Sequence, residues 1–138
     1  MDTKQLRVAS EVWFGAASLQ YESYKKNKNQ EFTAKEIIQR IFEVFKKIDP
    51  NWVLRPGIMV HVNLHCVANK PPNPNTLCYL YKTESGGIRL FKKGDKPHDW
   101  RQNGKTKPDL LDIPTHYPQE FKDEFKKLLA WYNKEYNK

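Results

Sequence analysis

The chain has 138 residues, 38% hydrophobic and 13% aromatic, with a formal net charge of +8. That length suits one domain, and the aromatic content excludes compositional disorder. No apolar run reaches the ~20 residues of a membrane span, and MDTKQLRVASEV lacks the apolar centre of a signal peptide, so a cytoplasmic protein is expected. Cys66 and Cys78 fall on different predicted elements, and reduced core thiols are expected rather than a bridge.

Residues 3–24 read as a helix. Val8, Val12, Ala16 and Leu19 follow the spacing of one buried face, widened by Ala9, Trp13 and Ala17. Gly15 is a mild cost inside it. The polar run KKNKNQ, residues 25–30, ends it in a loop. Thr33 and Glu36 then form a capping box, and Phe32 is placed to staple onto Ile37. The helix that follows runs to about Lys47, with Ile37, Ile38, Ile41, Phe42, Val44 and Phe45 predicting a wide buried side. Asp49-Pro50-Asn51 is a turn signal, after which Trp52, Val53 and Leu54 are expected as core contacts.

Residues 51–82 contain no Asp or Glu. Within them, RPGIMVHVNLHCVAN supports two readings. Val60, Val62, Leu64 and Cys66 alternate with His61, Asn63 and His65, which is the period of a strand. Pro56 suits a first helical turn, Ile58, Val62 and Cys66 share helical spacing, and Asn69-Lys70-Pro71 is a helix stop. The order of helix, turn, helix and hairpin favours the helix.

Residues 71–75, PPNPN, break regular structure. Residues 77–82 and 88–91 read as two strands joined by the Glu84–Gly87 turn, a β-hairpin. Tyr79 and Tyr81 share one strand face, for core packing or for base stacking. Between Lys82 and Lys107 lie eight Lys or Arg, opposed by Glu84, Asp95 and Asp99, a local excess of five positive charges. Residues 94–114 read as an irregular surface loop pinned by Trp100 or by Leu110 and Leu111. Pro118 starts a last amphipathic helix with Phe121, Phe125, Leu128, Leu129 and Tyr132 at helical spacing, extended by Trp131 and Tyr136.

The pattern predicts an α+β fold of the winged helix-turn-helix type: a three-helix core, a β-hairpin wing and an additional C-terminal helix. It is one domain over 1–138, with the winged-helix core at 1–93, an irregular basic loop at 94–117 and the C-terminal helix at 118–138. Residues 33–91, with TAKEII, RPGIMVHVNLHCVAN, LCYLYKTESGGIRLF and the basic tail RLFKKGDKP, resemble a prokaryotic family of winged-helix domains. These occur alone or fused to restriction-endonuclease-type modules. The resemblance implies DNA binding in a regulatory or host-defence setting. No endonuclease-type module is visible in this chain.

Excess positive charge favours polyanions through phosphate neutralisation. His61, Asn63 and His65 are candidate groove-facing residues, since Asn and His can bond base edges. Arg55, at the start of the same helix, is a candidate for a phosphate or a guanine edge. Lys82, Arg89, Lys92, Lys93, Lys96 and Arg101 are candidate backbone contacts. Surface solvation and edge-strand protection are the alternatives. His61 and His65, four apart, have the spacing of a metal pair. No third ligand accompanies them nearby, and Cys66 lies about 100° round a regular helix, so neither metal nor cofactor is expected. There is no Gly-rich phosphate loop or nucleophile motif, so no enzyme activity is expected. The leading expectation is a small basic winged-helix protein that binds duplex DNA without catalysis. The alternatives are a protein-interaction module, docking or forming a homodimer through Trp131, Tyr132 and Tyr136 of the C-terminal helix, and an RNA-binding accessory protein.

Overall fold

The computed structural model describes residues 3–54, 57–71, 77–113, 115 and 117–137, with side chains from residue 8 onward. It is an α+β arrangement of four helices and one antiparallel hairpin. Helix α1 is Thr3–Lys25, α2 is Ala34–Ile48, and α3 is a single turn, Gly57–Val60, that widens into a π turn, His61–His65. Strands β1 (Leu80–Lys82) and β2 (Ile88–Leu90) follow, and α4 (Gln119–Trp131) ends in a second π turn, Tyr132–Tyr136. Among the described residues no helix is long and apolar enough to cross a membrane.

Helix α1 is the axis of the core. Ala9, Val12, Trp13 and Ala17 are fully enclosed. Gly15 is needed for more than flexibility: a Cβ there would stand 2.4 Å from Ile41 Cγ1 on α2, so its absence lets the two helices approach. Helix α2 starts as its capping box predicts, the Glu36 amide donating to Thr33 Oγ1 and the Thr33 amide to Glu36 Oε1. Its buried face is narrower than expected. Ile37, Ile41 and Phe45 are inside, Ile38 and Val44 half-buried, and Phe42 exposed.

Helix α4 packs its aromatic side against α1. Phe121 lies 4.4 Å from Phe14 between ring centroids, and Phe125 stacks on Trp13 at 5.6 Å. Trp131 and Tyr132 are buried in the same protomer. Tyr132 Oη donates to the Phe91 carbonyl, and Tyr136 Oη donates to the Leu90 carbonyl at 2.8 Å. The rings offered by the sequence as an alternative homodimer seam thus pack within the protomer and clamp the end of β2.

The helical reading of the histidine stretch holds, over residues 57–65. Both strands are shorter than the pattern predicts. Cys78 leaves the ladder because its amide donates to the Lys105 carbonyl at 2.6 Å. Gly86, at φ +92°, turns the hairpin. Just before α2, Phe32 exchanges two 2.7 Å backbone hydrogen bonds with Ile88, adding a one-residue third strand to the hairpin.

Two expectations about anchoring are reversed. Trp52 is buried, stacked on Phe45 at 5.6 Å with its indole N–H donating to Glu11 Oε2 at 3.0 Å, but Val53 and Leu54 point outward. In the 94–114 loop, Trp100, Leu110 and Leu111 are exposed, and Arg101 is enclosed instead. Its guanidinium donates to the carbonyls of Lys70 (2.7 Å), His65 and Leu64 (2.8 Å each), Pro71 (3.1 Å) and Leu77. Five N–H groups thus meet five main-chain acceptors. Arg101 is not available to a nucleic acid. It is the peg that fastens the loop beneath the end of α3. Arg101→Lys keeps the charge but offers three donors in place of five. Urea unfolding should show a loss of about 3 kcal/mol or more, and a loss under about 1 kcal/mol would remove Arg101 from this role.

Candidate nucleic-acid interface

The predicted reading face divides on folding. Ile58 and Val62 turn the buried side of α3 to the core, and His61 goes with them. Its Nδ1 lies 3.4 Å from Cys66 Sγ. A π turn explains this pairing. The Cys66 amide bonds the His61 carbonyl at 2.9 Å, so residues five apart share a face that a regular helix would separate. Cys66 and Cys78 are both buried, and no disulfide joins them. His65 is half-buried, its ring centroid 4.8 Å from that of His61. Asn63 is exposed, but its amide nitrogen donates back to the Met59 carbonyl at 2.9 Å. The outer face of α3 is therefore led by Met59 and Val60 and is not a row of base-reading polar groups. Arg55 lies outside the described residues.

The hairpin is rearranged in the same way. Arg89 makes a bidentate pair with Asp95, at 2.7 and 2.9 Å, and lies 4.9 Å from the Tyr81 ring. These bonds hold its pKa above the ordinary arginine value against the pull of burial. Arg89 is thus a structural clamp and not a free phosphate contact. Tyr79 is core. The turn of the hairpin is acidic: Glu31 Oε1 accepts from Thr83 Oγ1 (2.6 Å) and Ser85 Oγ (2.7 Å), and Glu84 is exposed beside them. The two hydroxyls, with Arg89 further off, hold the Glu31 carboxyl below its usual range.

What the Arg89–Asp95 clamp builds is a rigid lysine turn at the base of the hairpin. Asp95 Oδ2 also accepts from the Lys92 amide at 2.9 Å, and Gly94 takes φ +99°. Lys92, Lys93 and Lys96 project from it, half-exposed or exposed. This turn meets a second basic segment that the sequence reading passed over as a mere helix stop. Lys28 and Lys92 line one groove of about 380 Å³ with Tyr24, Asn27, Asn29, Glu135 and Tyr136. Gln20 and Ser23 cause the meeting. Gln20 Nε2 donates to the Gln30 carbonyl (2.9 Å), its Oε1 accepts from the Leu90 amide (3.2 Å), and Ser23 Oγ accepts from the Gln30 amide (3.0 Å). Two buried polar residues on α1 therefore hold the loop after α1 against β2. Lys82 stands at the other end of the hairpin, its main chain paired with the Asn69 side chain at 2.7 and 3.0 Å.

Among the described residues, no group of three or more His, Cys, Asp or Glu is arranged to hold a metal. No protein-family model matches the chain, and neither a curated protein nor a solved structure is detectably similar to it. Fold and surface together define an α+β protein with a buried histidine beside a half-buried one and a separate lysine-lined groove.

The histidine pair has a consequence for stability. Burial, then the neighbouring His65, pull the His61 pKa down to about 4. Burial, then Arg101, lower that of His65. A base whose folded pKa is depressed contributes full stability above its unfolded value, about 6.5, and loses it as pH falls toward the folded value. Between pH 6.5 and 4 the His61 contribution should fall by about 3 kcal/mol. Chemical denaturation from pH 7 to 5, above most carboxylate titrations, should show about 2 kcal/mol of this loss, and His61→Phe should flatten it. Equal slopes in the two proteins would refute the assignment.

Proposed function

We propose that the chain is a non-catalytic module of winged-helix type that binds duplex DNA through the phosphate backbone without reading bases. The order α1, paired residue Phe32, α2, α3 and hairpin supports the winged-helix reading, because that scaffold places a short strand between its first two helices against its wing. The observation that carries the function is the convergence of Lys28 and Lys92 on one groove, with Lys93 and Lys96 on the same rigid turn. Ammonium groups are compact charges that neutralise phosphates, whereas guanine reading favours a bidentate guanidinium. The arginines described in the hairpin and loop, Arg89 and Arg101, are both engaged inside the fold. Affinity should therefore be dominated by charge and nearly indifferent to sequence.

In a salt titration, log affinity for duplex DNA should fall linearly with log salt. Lys92→Glu with Lys93→Glu should weaken binding and reduce the slope by roughly two, and Lys28→Glu by a further one or so. Unrelated duplexes of equal length should bind within a few-fold of each other. No duplex binding at low salt, or a slope unchanged by the substitutions, would end the proposal. Duplex RNA that outcompetes duplex DNA would move it to an RNA-binding accessory role.

A further inference from the structure

The lysine groove holds more than a phosphate needs. Its lining joins Lys28 and Lys92 to the Tyr24 ring, to the carboxamides of Asn27 and Asn29, and to Glu135 beside Tyr136. Tyr24 packs on the buried Trp131, 5.7 Å between ring centroids, yet keeps 42% of its full exposure. Its hydroxyl donates to Glu135 Oε2 at 3.2 Å, which ties the ring to the second π turn. Both walls are fixed in the fold. Helix α1 ends in a Schellman motif: the Asn27 amide donates to the Tyr24 carbonyl (3.0 Å), the Lys28 amide to the Ser23 carbonyl (2.9 Å), and Asn27 takes φ +57°. Opposite, Asp95 holds the Lys92 amide and the Leu90 carbonyl holds the Tyr136 hydroxyl. A site built in advance loses little ordering entropy on binding.

The mixture of groups selects the occupant. The two ammonium groups attract a phosphate, while the Glu135 carboxylate, bonded to Tyr24, repels one from the ring. A ligand that fits carries a phosphate for the lysines, a flat π-face for Tyr24, and polar edge groups for the carboxamides. A nucleotide has this form. Its base must be unpaired, because a base stacked inside a duplex cannot present its face to a side chain. We propose that the groove takes one unpaired nucleotide of a DNA strand, its base stacked on Tyr24 and its phosphate held by Lys28 and Lys92. The protein then favours a duplex that ends in a single-stranded overhang, with Lys93 and Lys96 following the adjoining phosphates. This site rests on the phosphate-binding reading of the groove and adds the base to it. Stacking accepts every base, so the indifference to sequence is kept.

The test uses one labelled DNA duplex in three forms: blunt, with a short thymidine overhang, and with the same overhang made abasic. The abasic strand keeps every phosphate, so the ratio of thymidine to abasic affinity reads the base alone. Fluorescence anisotropy should give a ratio of about fivefold or more. Tyr24→Leu should bring the ratio to about one, and Tyr24→Phe, which keeps the ring and loses the hydroxyl, should preserve it. Tyr24 lies at the surface, and the ratio is taken within each variant, so a general loss of affinity cancels. A ratio near one in the unsubstituted protein, or a ratio that survives Tyr24→Leu, would overturn the nucleotide site. Blunt-duplex binding and its salt slope would then still stand. Overhang binding that needs Tyr24, with no blunt binding, would end the duplex reading and keep the nucleotide site. No binding of any form would end both. Full displacement of the overhang by free thymidine monophosphate would assign the groove to a free nucleotide, and tighter binding of an RNA overhang would assign it to RNA. Either result overturns the assignment to a DNA strand.

Discussion

Arg101 places a full positive charge where water does not reach it, and main-chain carbonyls from three separate stretches take up its N–H groups. Isolated burial of such a charge would be prohibitive. It is tolerated here because Leu64 and His65 end a helical segment, where carbonyls carry partial negative charge. The guanidinium gives five carbonyls a donor, the Leu64 carbonyl in addition to the Val67 amide at 3.1 Å. It also fastens the loop around residue 101 to the stretch around 64–71 and to Leu77, on the way into the hairpin. Arg101 thus places the entry to the hairpin, while Gln20, Tyr132 and Tyr136 hold its second strand.

The same preference sorts the cations among the described residues. Guanidinium groups are planar and weakly hydrated, with forked donors, and are suited to burial. Arg89 and Arg101 take structural posts, and Arg40 pairs with Glu22 at 2.8 Å. Ammonium groups are strongly hydrated and stay at the surface. Lys105 is tied to Asp109 and Asp112, but Lys92, Lys93 and Lys96 have no acidic partner among the described residues. Counting positive charges along the chain therefore overstates the basic surface of residues 82–107 and misses its continuation at Lys28. It also hides that the hairpin turn, the place where a wing would meet phosphates, carries Glu31 and Glu84.

The histidine stretch shows how a small change in helical pitch reassigns roles. In a regular helix His61 and His65 share a face, and Cys66 lies about 100° round from His65. The π turn brings His61 onto Cys66 and sends both inward, beside Arg101 and His65. Burial pushes the Cys66 thiol far up, so it stays protonated. Groups that look like ligands or base readers become a neutral, tightly packed support for the guanidinium. The outward side passes to Met59 and Val60.

Elements set by short-range physics were legible in the sequence alone. Thr33 and Glu36 specify the start of α2 because both partners of the capping box lie within one turn. The Gly-rich hairpin turn and the amphipathic repeat of Phe121, Phe125, Leu128 and Leu129 are equally local. Tertiary structure alone decided which side is used in the histidine stretch, the hairpin and the 94–114 loop. Arg101 reaches carbonyls 24 to 37 residues away, and Gln20 reaches Leu90 across 70. Contacts at such separations leave no periodic trace in a sequence. That is why an arginine read as a surface contact proved to be core, Val53 and Leu54 read as core proved to be surface, and the lysine groove appeared where no single stretch of chain could show it.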